Sequence, residues 1–136
     1  MSGVNGISST VDIAVSGLRA ETVRMNVIAN NIANAGTSRT PEGGPFRRQE
    51  ALLSAGDEEA LGVTIERIAP DLDTEFKKLF QPGHPDADDD GYVLMPNVDL
   101  PIEMINLVTA SRAYQANAAV LKRYQDLVEA TIELLR

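Results

Sequence analysis

NVIANNIANAGTSRTP, residues 26–41, opens with the apolar spacing of an α-helix and closes in turn residues, yet four of its first nine positions are asparagine. Asparagine lies several tenths of a kcal/mol below alanine in helix propensity, so Asn26, Asn30, Asn31 and Asn34 together cost an isolated helix about 2 kcal/mol. Something beyond propensity must favour them. Asn26, Asn30 and Asn34 recur every four residues beside the apolar positions, where an amide can donate and accept at once across a helix interface. Buried amides penalise mismatched neighbours and so can fix register. The plainer alternative is a solvated stripe in which Asn34 only ends the helix.

Upstream, Val4, Ile7, Val11, Ala14, Leu18, Glu21, Met25, Ile28, Ile32 and Ala35 follow alternating steps of three and four, a seam of coiled-coil period with Glu21 its only charged member. Asn5, Ser8 or Ser9 is placed to cap the start of this helix, and Asn34-Ala35-Gly36 to end it. At the other end of the chain the same period runs through Leu100, Met104, Leu107, Ser111, Tyr114, Ala118, Leu121, Gln125, Val128, Ile132 and Leu135. Ile105, Val108, Val120, Leu127 and Leu134 widen that apolar face beyond what one partner helix covers. Asp99 reads as its N-cap, Pro101 is tolerated in a first turn, and Glu103 suits the positive end of the helix dipole.

Between the two helices, 46–53 and 63–68 have strand character with a turn over 56–59. Shorter extended pieces are expected at 76–80 and 91–95, separated by QPGHPDADDDG, a loop by composition. The expected fold is mainly α: two long terminal helices packed as a coiled-coil-like pair around a small β-rich middle, α+β overall. The expected units are 1–36, an N-terminal helix; 37–98, a middle segment; and 99–136, a C-terminal helix.

The formal net charge of -8 is unevenly placed. Acids and bases balance over 1–38 and over 100–136, so the whole excess lies in 39–99. Such a chain lacks the concentrated Lys and Arg that nucleic acid or an anionic membrane requires. Cysteine is absent, which removes disulfides, thiolate metal sites and Cys nucleophiles. No run of 18 apolar residues and no basic-then-apolar leader occurs, so neither a membrane-spanning segment nor a cleaved signal peptide is expected.

Asp86-Ala87-Asp88-Asp89-Asp90-Gly91 begins like a calcium loop, but its twelfth position is Asn97 in place of a bidentate Glu, and Pro82, Pro85 and Pro96 replace the flanking helices. A solvated acidic loop is the preferred reading. His84 is the only histidine, and no nucleophile elbow or phosphate-binding glycine loop appears. No enzyme activity, catalytic residue, cofactor or metal is expected.

Length makes the helices consequential. Each would run roughly 40 to 55 Å at 1.5 Å per residue, longer than the roughly 35 to 40 Å diameter of a compact globule of this size. Apolar seams that overhang their own domain need other chains.

Ser16 to Glu50, with ANNIANAGT at Ala29 to Thr37, resembles the N-terminal signature of bacterial flagellar rod and hook proteins. Glu103 to Lys122, EMINLVTASRAYQANAAVLK, resembles their C-terminal motif. Within that family, the short length and GHPDADDDGYVLMPNVDLPIEM, Gly83 to Met104, are similar to a proximal rod subunit. The resemblance implies a structural subunit that polymerises with its own copies and other rod proteins into a hollow, torque-transmitting shaft of the basal body. It also implies delivery by the flagellar type III export apparatus.

Taken with the seams, Ile7, Val11, Leu18, Met25, Ile28 and Ile32 are expected to pack against Met104, Leu107, Tyr114, Leu121, Val128 and Ile132, within or between subunits. Asn30, Asn31 and Asn34 would set their register. The alternatives are a non-polymerising helical adapter, another short rod-family member, or a calcium-responsive module built on Asp86, Asp88 and Asp90.

Overall fold

Helix α1, Ser2–Ala33, is one uninterrupted element of 32 residues. It is seen in a computed structural model that describes residues 2–56 and 61–136, with side chains from Ser9 onward. The helix begins before Asn5, Ser8 and Ser9, so these lie inside it and none is its cap. Apolar periodicity continues N-terminal to them through Val4, and helix follows the seam. At the other end the last turn tightens: Asn34 N–H reaches the Asn30 carbonyl at 3.1 Å and Ala35 N–H the Ile32 carbonyl at 3.3 Å. The turn over 34–36 then releases the chain where sequence placed the stop.

Four short strands form two separate hairpin sheets. Strands β1, Gln49–Ala55, and β2, Val63–Pro70, pair antiparallel from Gln49↔Pro70 to Ala55↔Val63, with a bulge between Leu52 and Leu53. The expected turn residues 57–59 fall outside the described residues. Strands β3, Lys77–Phe80, and β4, Tyr92–Met95, pair from Lys77↔Met95 to Phe80↔Tyr92, and the two rings at the closed end meet edge-on at 5.2 Å. Gly91, at φ 85, closes this second hairpin where a Cβ would come within 3.0 Å of Phe80 and Pro82.

Helix α2, Leu100–Leu134, starts as its sequence predicts: the Asp99 side chain accepts from Ile102 N–H and Pro101 sits in the first turn. The architecture is thus two long helices with a small two-sheet middle, α+β in class.

Two contacts fix how the helices lie. Gly17 meets Asn117, and Asn31 meets Glu103. Gly17 and Asn31 stand 14 positions apart on α1, and Asn117 and Glu103 stand 14 apart in the opposite sense on α2. The pair is therefore antiparallel and in register along its length. At the first contact a Cβ on residue 17 would lie 2.7 Å from the Asn117 amide, so glycine permits the close approach. Ala14, Ala20, Val27, Ile28 and Ala110 are buried along the helices, and Val93 within β4 and Pro96 and Val98 just after it are also buried.

Candidate functional site: a polar joint and two open apolar edges

The most buried polar cluster ties both helices to the middle segment. Asn31 near the end of α1 is fully buried, and its amide treats β1 as a neighbouring strand would: Gln49 N–H donates to Oδ1 and Nδ2 donates to the Gln49 carbonyl, each at 2.9 Å. The same Nδ2 lies 3.3 Å from Glu103 Oε2 in the first turns of α2. Glu103 is also fully buried, and its other oxygen accepts from Arg48 Nε. Arg48 further donates to Glu50 and reaches Asp71 at 3.5 Å. Burial alone would lower the Arg48 pKa, but hydrogen bonds to Glu103 and Glu50 and their charges outweigh it and raise it above the usual arginine value.

The backbone of the joint is equally occupied. Arg48 N–H donates to Asn97 Oδ1 at 2.7 Å, and Asn97 Nδ2 donates to the carbonyls of Asp71 at 3.2 Å and Thr74 at 3.1 Å. Arg47 joins the same carbonyls, its guanidinium donating to the Asp71 carbonyl at 2.9 Å while it lies over the Phe76 ring at 4.1 Å. A second tie lies further along α1, where Ser16 Oγ accepts from Val63 N–H at 3.1 Å. Gly62 beside it, at φ 104, leaves no room for a Cβ against that oxygen.

Sequence reasoning singled out Asn31 without finding its partners, and read Glu103 as a dipole complement alone. Asn97 it read only as the failing twelfth position of a calcium-like loop, and it gave Arg48 and Ser16 no role. Glu103 and Arg48 are 55 positions apart, and no local pattern marks such a pair.

The acidic loop is folded onto its own chain. Asp86 accepts from Ser38 Oγ at 2.7 Å and pairs with Arg39 at 2.7 Å, while Asp88 Oδ1 accepts from Tyr92 and Asp90 N–H groups. His84 Nδ1 accepts from Asp86 N–H. Among the described residues no three His, Asp or Glu side chains converge as metal ligands.

The remaining predicted residues sort by exposure. Ile28 is buried; Val11, Leu18, Met25 and Ile32 are half-buried along one edge of the helix pair. Leu107 and Leu121 are half-buried, whereas Tyr114, Val128, Ile132 and Met104 are exposed, Met104 to 60%. Asn30 is exposed and Asn34 half-buried, with Asn34 Nδ2 donating back to Asn30. Ile7 lies outside the described side chains. A second stripe, Ile102, Ile105, Val120, Leu127 and Leu134, is open on α2, Leu127 to 66%. Isolated exposed leucines are ordinary, but contiguous stripes on a long helix mark a binding surface. No described helix is long and apolar enough to cross a membrane.

A helix pair with open apolar edges, hydrogen-bonded to an acidic β middle, suits a structural subunit that packs against other chains, and comparison with known proteins points to such a class. The family described as flagella basal body rod protein matches residues 12–39, and the C-terminal family of flagellar basal body rod FlgEFG proteins matches residues 89–134. The flagellar basal-body rod protein FlgC of Borreliella burgdorferi is 35% identical, covering 96% of this chain and 99% of its own. That of Yersinia enterocolitica is 42% identical over 90% of this chain and 93% of its own, and that of Aquifex aeolicus 34% over 93% and 96%. The chain belongs to the FlgC family of flagellar basal-body rod proteins and is a structural rod subunit of the basal body.

Proposed function

We propose that this chain polymerises, with its own copies and with other flagellar rod proteins, into the hollow shaft that carries motor torque through the periplasm and cell wall. In this reading 1–36 and 99–136 form the inner, helical layer and 37–98 the outer one. Val11, Leu18, Met25 and Ile32 of α1 and Met104, Tyr114, Val128 and Ile132 of α2 supply packing surface between subunits. The chain acts through packing and not through catalysis, and it reaches its site through the flagellar type III export apparatus.

The observation that carries the reading is the exposure of many large apolar side chains along α2, from Ile102 at 53% to Leu134 at 88%. Both helix segments are close to charge-neutral, so many copies can crowd together without accumulating repulsion, while the excess acid stays in the middle. Contacts that do not close on themselves build open filaments.

The test is complementation. In a flagellated host lacking its own proximal rod subunit, the chain should restore swimming and appear in purified basal bodies. Normal swimming with the chain absent from basal bodies would overturn the proposal.

A further inference from the structure

One buried side-chain atom among those described has no hydrogen-bond partner: Oε2 of Glu21. Its sister oxygen lies 3.7 Å from Arg24, beyond hydrogen-bond reach, and the side chain keeps only 12% of its surface. A carboxylate oxygen held dry without a donor is costly, so its place needs an account. Glu21 sits between Leu18 and Met25, at steps of three and four, on the half-buried edge of the helix pair.

The open stripe of α2 carries the complementary pattern at the same spacing: Val120, Arg123 and Leu127. Val120 and Leu127 are exposed, and with Ala119, Tyr124 and Thr10 of α1 they border a shallow apolar groove of about 360 Å³ that Arg123 also lines. Among the described residues Arg123 has no ion pair, unlike Arg24, Arg39 and Arg48. The two patterns belong to different helices and open on different edges of the pair, so one chain cannot join them to each other.

We propose that α2 of a second copy docks on the Val11-Leu18-Met25-Ile32 edge, its Leu127 beside Leu18, its Val120 beside Met25, and its Arg123 donating to Glu21. The inference rests on the polymerising reading above and adds to it which surfaces meet. Subunits that point the same way bring α1 and the neighbour's α2 together antiparallel, which is the sense these pairings require. Within one chain Gly17 is level with Asn117, so setting Leu18 level with the neighbour's Leu127 offsets the copies by 11 residues, about 16 Å. A staggered contact between unlike surfaces repeats without closing. For the contact to form, the whole Glu21 side chain turns outward to the arriving guanidinium, so that the oxygen without a donor gains one and the contact is charge-assisted.

The experiment uses the absence of cysteine. Leu18→Cys and Leu127→Cys chains are co-expressed in the complemented host, and basal bodies are purified and oxidised. A disulfide-linked dimer of this chain is expected from that pair and none from Leu18→Cys with Val108→Cys. Arg123→Glu, an exposed change that leaves the fold intact, should lower incorporation into basal bodies about tenfold or more, and Glu21→Arg combined with it should restore incorporation. Wild-type incorporation of Arg123→Glu overturns the inference. So does a cross-link from the Leu18→Cys chain that leads to a different rod protein, or no cross-link in basal bodies that contain both variants. Absence of the wild-type chain from basal bodies would instead overturn the polymerising reading itself.

Discussion

Asn31 holds the peptide of Gln49 by both ends of its amide, so a helix side chain completes the edge of a β-strand. Replacing it with alanine strands the Gln49 N–H and carbonyl in a buried place and removes a donor from Glu103. Asn31→Ala should therefore lower stability by about 2 to 4 kcal/mol. Asn30→Ala, at an exposed position, should stay within about 0.5 kcal/mol. Equal losses in urea denaturation would show that the amides act as a stripe and not through this one contact.

Glu103→Ala leaves the Arg48 charge without its most buried partner and should cost about 3 to 5 kcal/mol. A combined Arg48→Met and Glu103→Leu chain should lose less than the sum of its single changes, because the buried charge and its counter-charge vanish together. Additive losses would deny the coupling.

Gly62 adopts φ 104 beneath the Ser16 hydroxyl, where alanine is strained in backbone and in space. Gly62→Ala should cost about 1 to 3 kcal/mol and speed amide exchange through Val63–Pro70. Unchanged exchange in β2 would mean the hairpin is not held to α1 at this point.

Asp71 titrates below the usual aspartate range, first because the Thr74 N–H donates to it, then, against burial, through the Thr74 hydroxyl, the Asp73 N–H and Arg48. A folded-state value below the unfolded one means the ionised form favours the fold. The contribution is whole above the unfolded aspartate value of about 3.9 and drains away as pH falls from there through the lower folded value. Asp71→Asn should flatten the acid side of the stability curve in that window and leave neutral pH behaviour parallel. An unaltered acid slope in urea titrations would remove Asp71 from the account.

Hydrogen exchange on the dilute monomer should protect the joint, around Asn31, Gln49 and Glu103, far more than α2 beyond Leu121, where every residue but Tyr124 is exposed. Assembly should then protect the outer half of α2. Strong, uniform protection of both helices in the monomer would favour the non-polymerising adapter.

Both helices were legible because an apolar seam of alternating three- and four-residue steps over 30 or more positions survives local noise, and Asp99 with Pro101 marked the start of α2 to the residue. The strands were found with three ends in place and the others displaced by one to three positions; β1 starts at Gln49, not Phe46, because residues 46–48 run to the joint and pair with Asn97 and Thr37 instead of β2. Asn31 was conspicuous as a poor helix former, yet its partner is a peptide group, which carries no side-chain signature. Arg48 and Glu103 meet only because two loops and a helix start converge, and that convergence is a property of the tertiary fold.

The position of the joint at one end of the helix pair sets an order for folding. Bringing Asn31 to Glu103 closes a loop of 72 positions at an entropic cost of about 4 kcal/mol, offset by local hairpins that form within that loop. Once that loop is shut, Gly17 and Asn117 are separated only by 14 residues on either arm, and the helices can zip outward from the β middle toward the far tip. Lesions at the joint should then slow folding, while lesions such as Leu121→Ala should chiefly hasten unfolding. A chain emerging in extended form would acquire its shaft last, from the broad end outward, and only after the residues of α2 had followed the middle segment into free space.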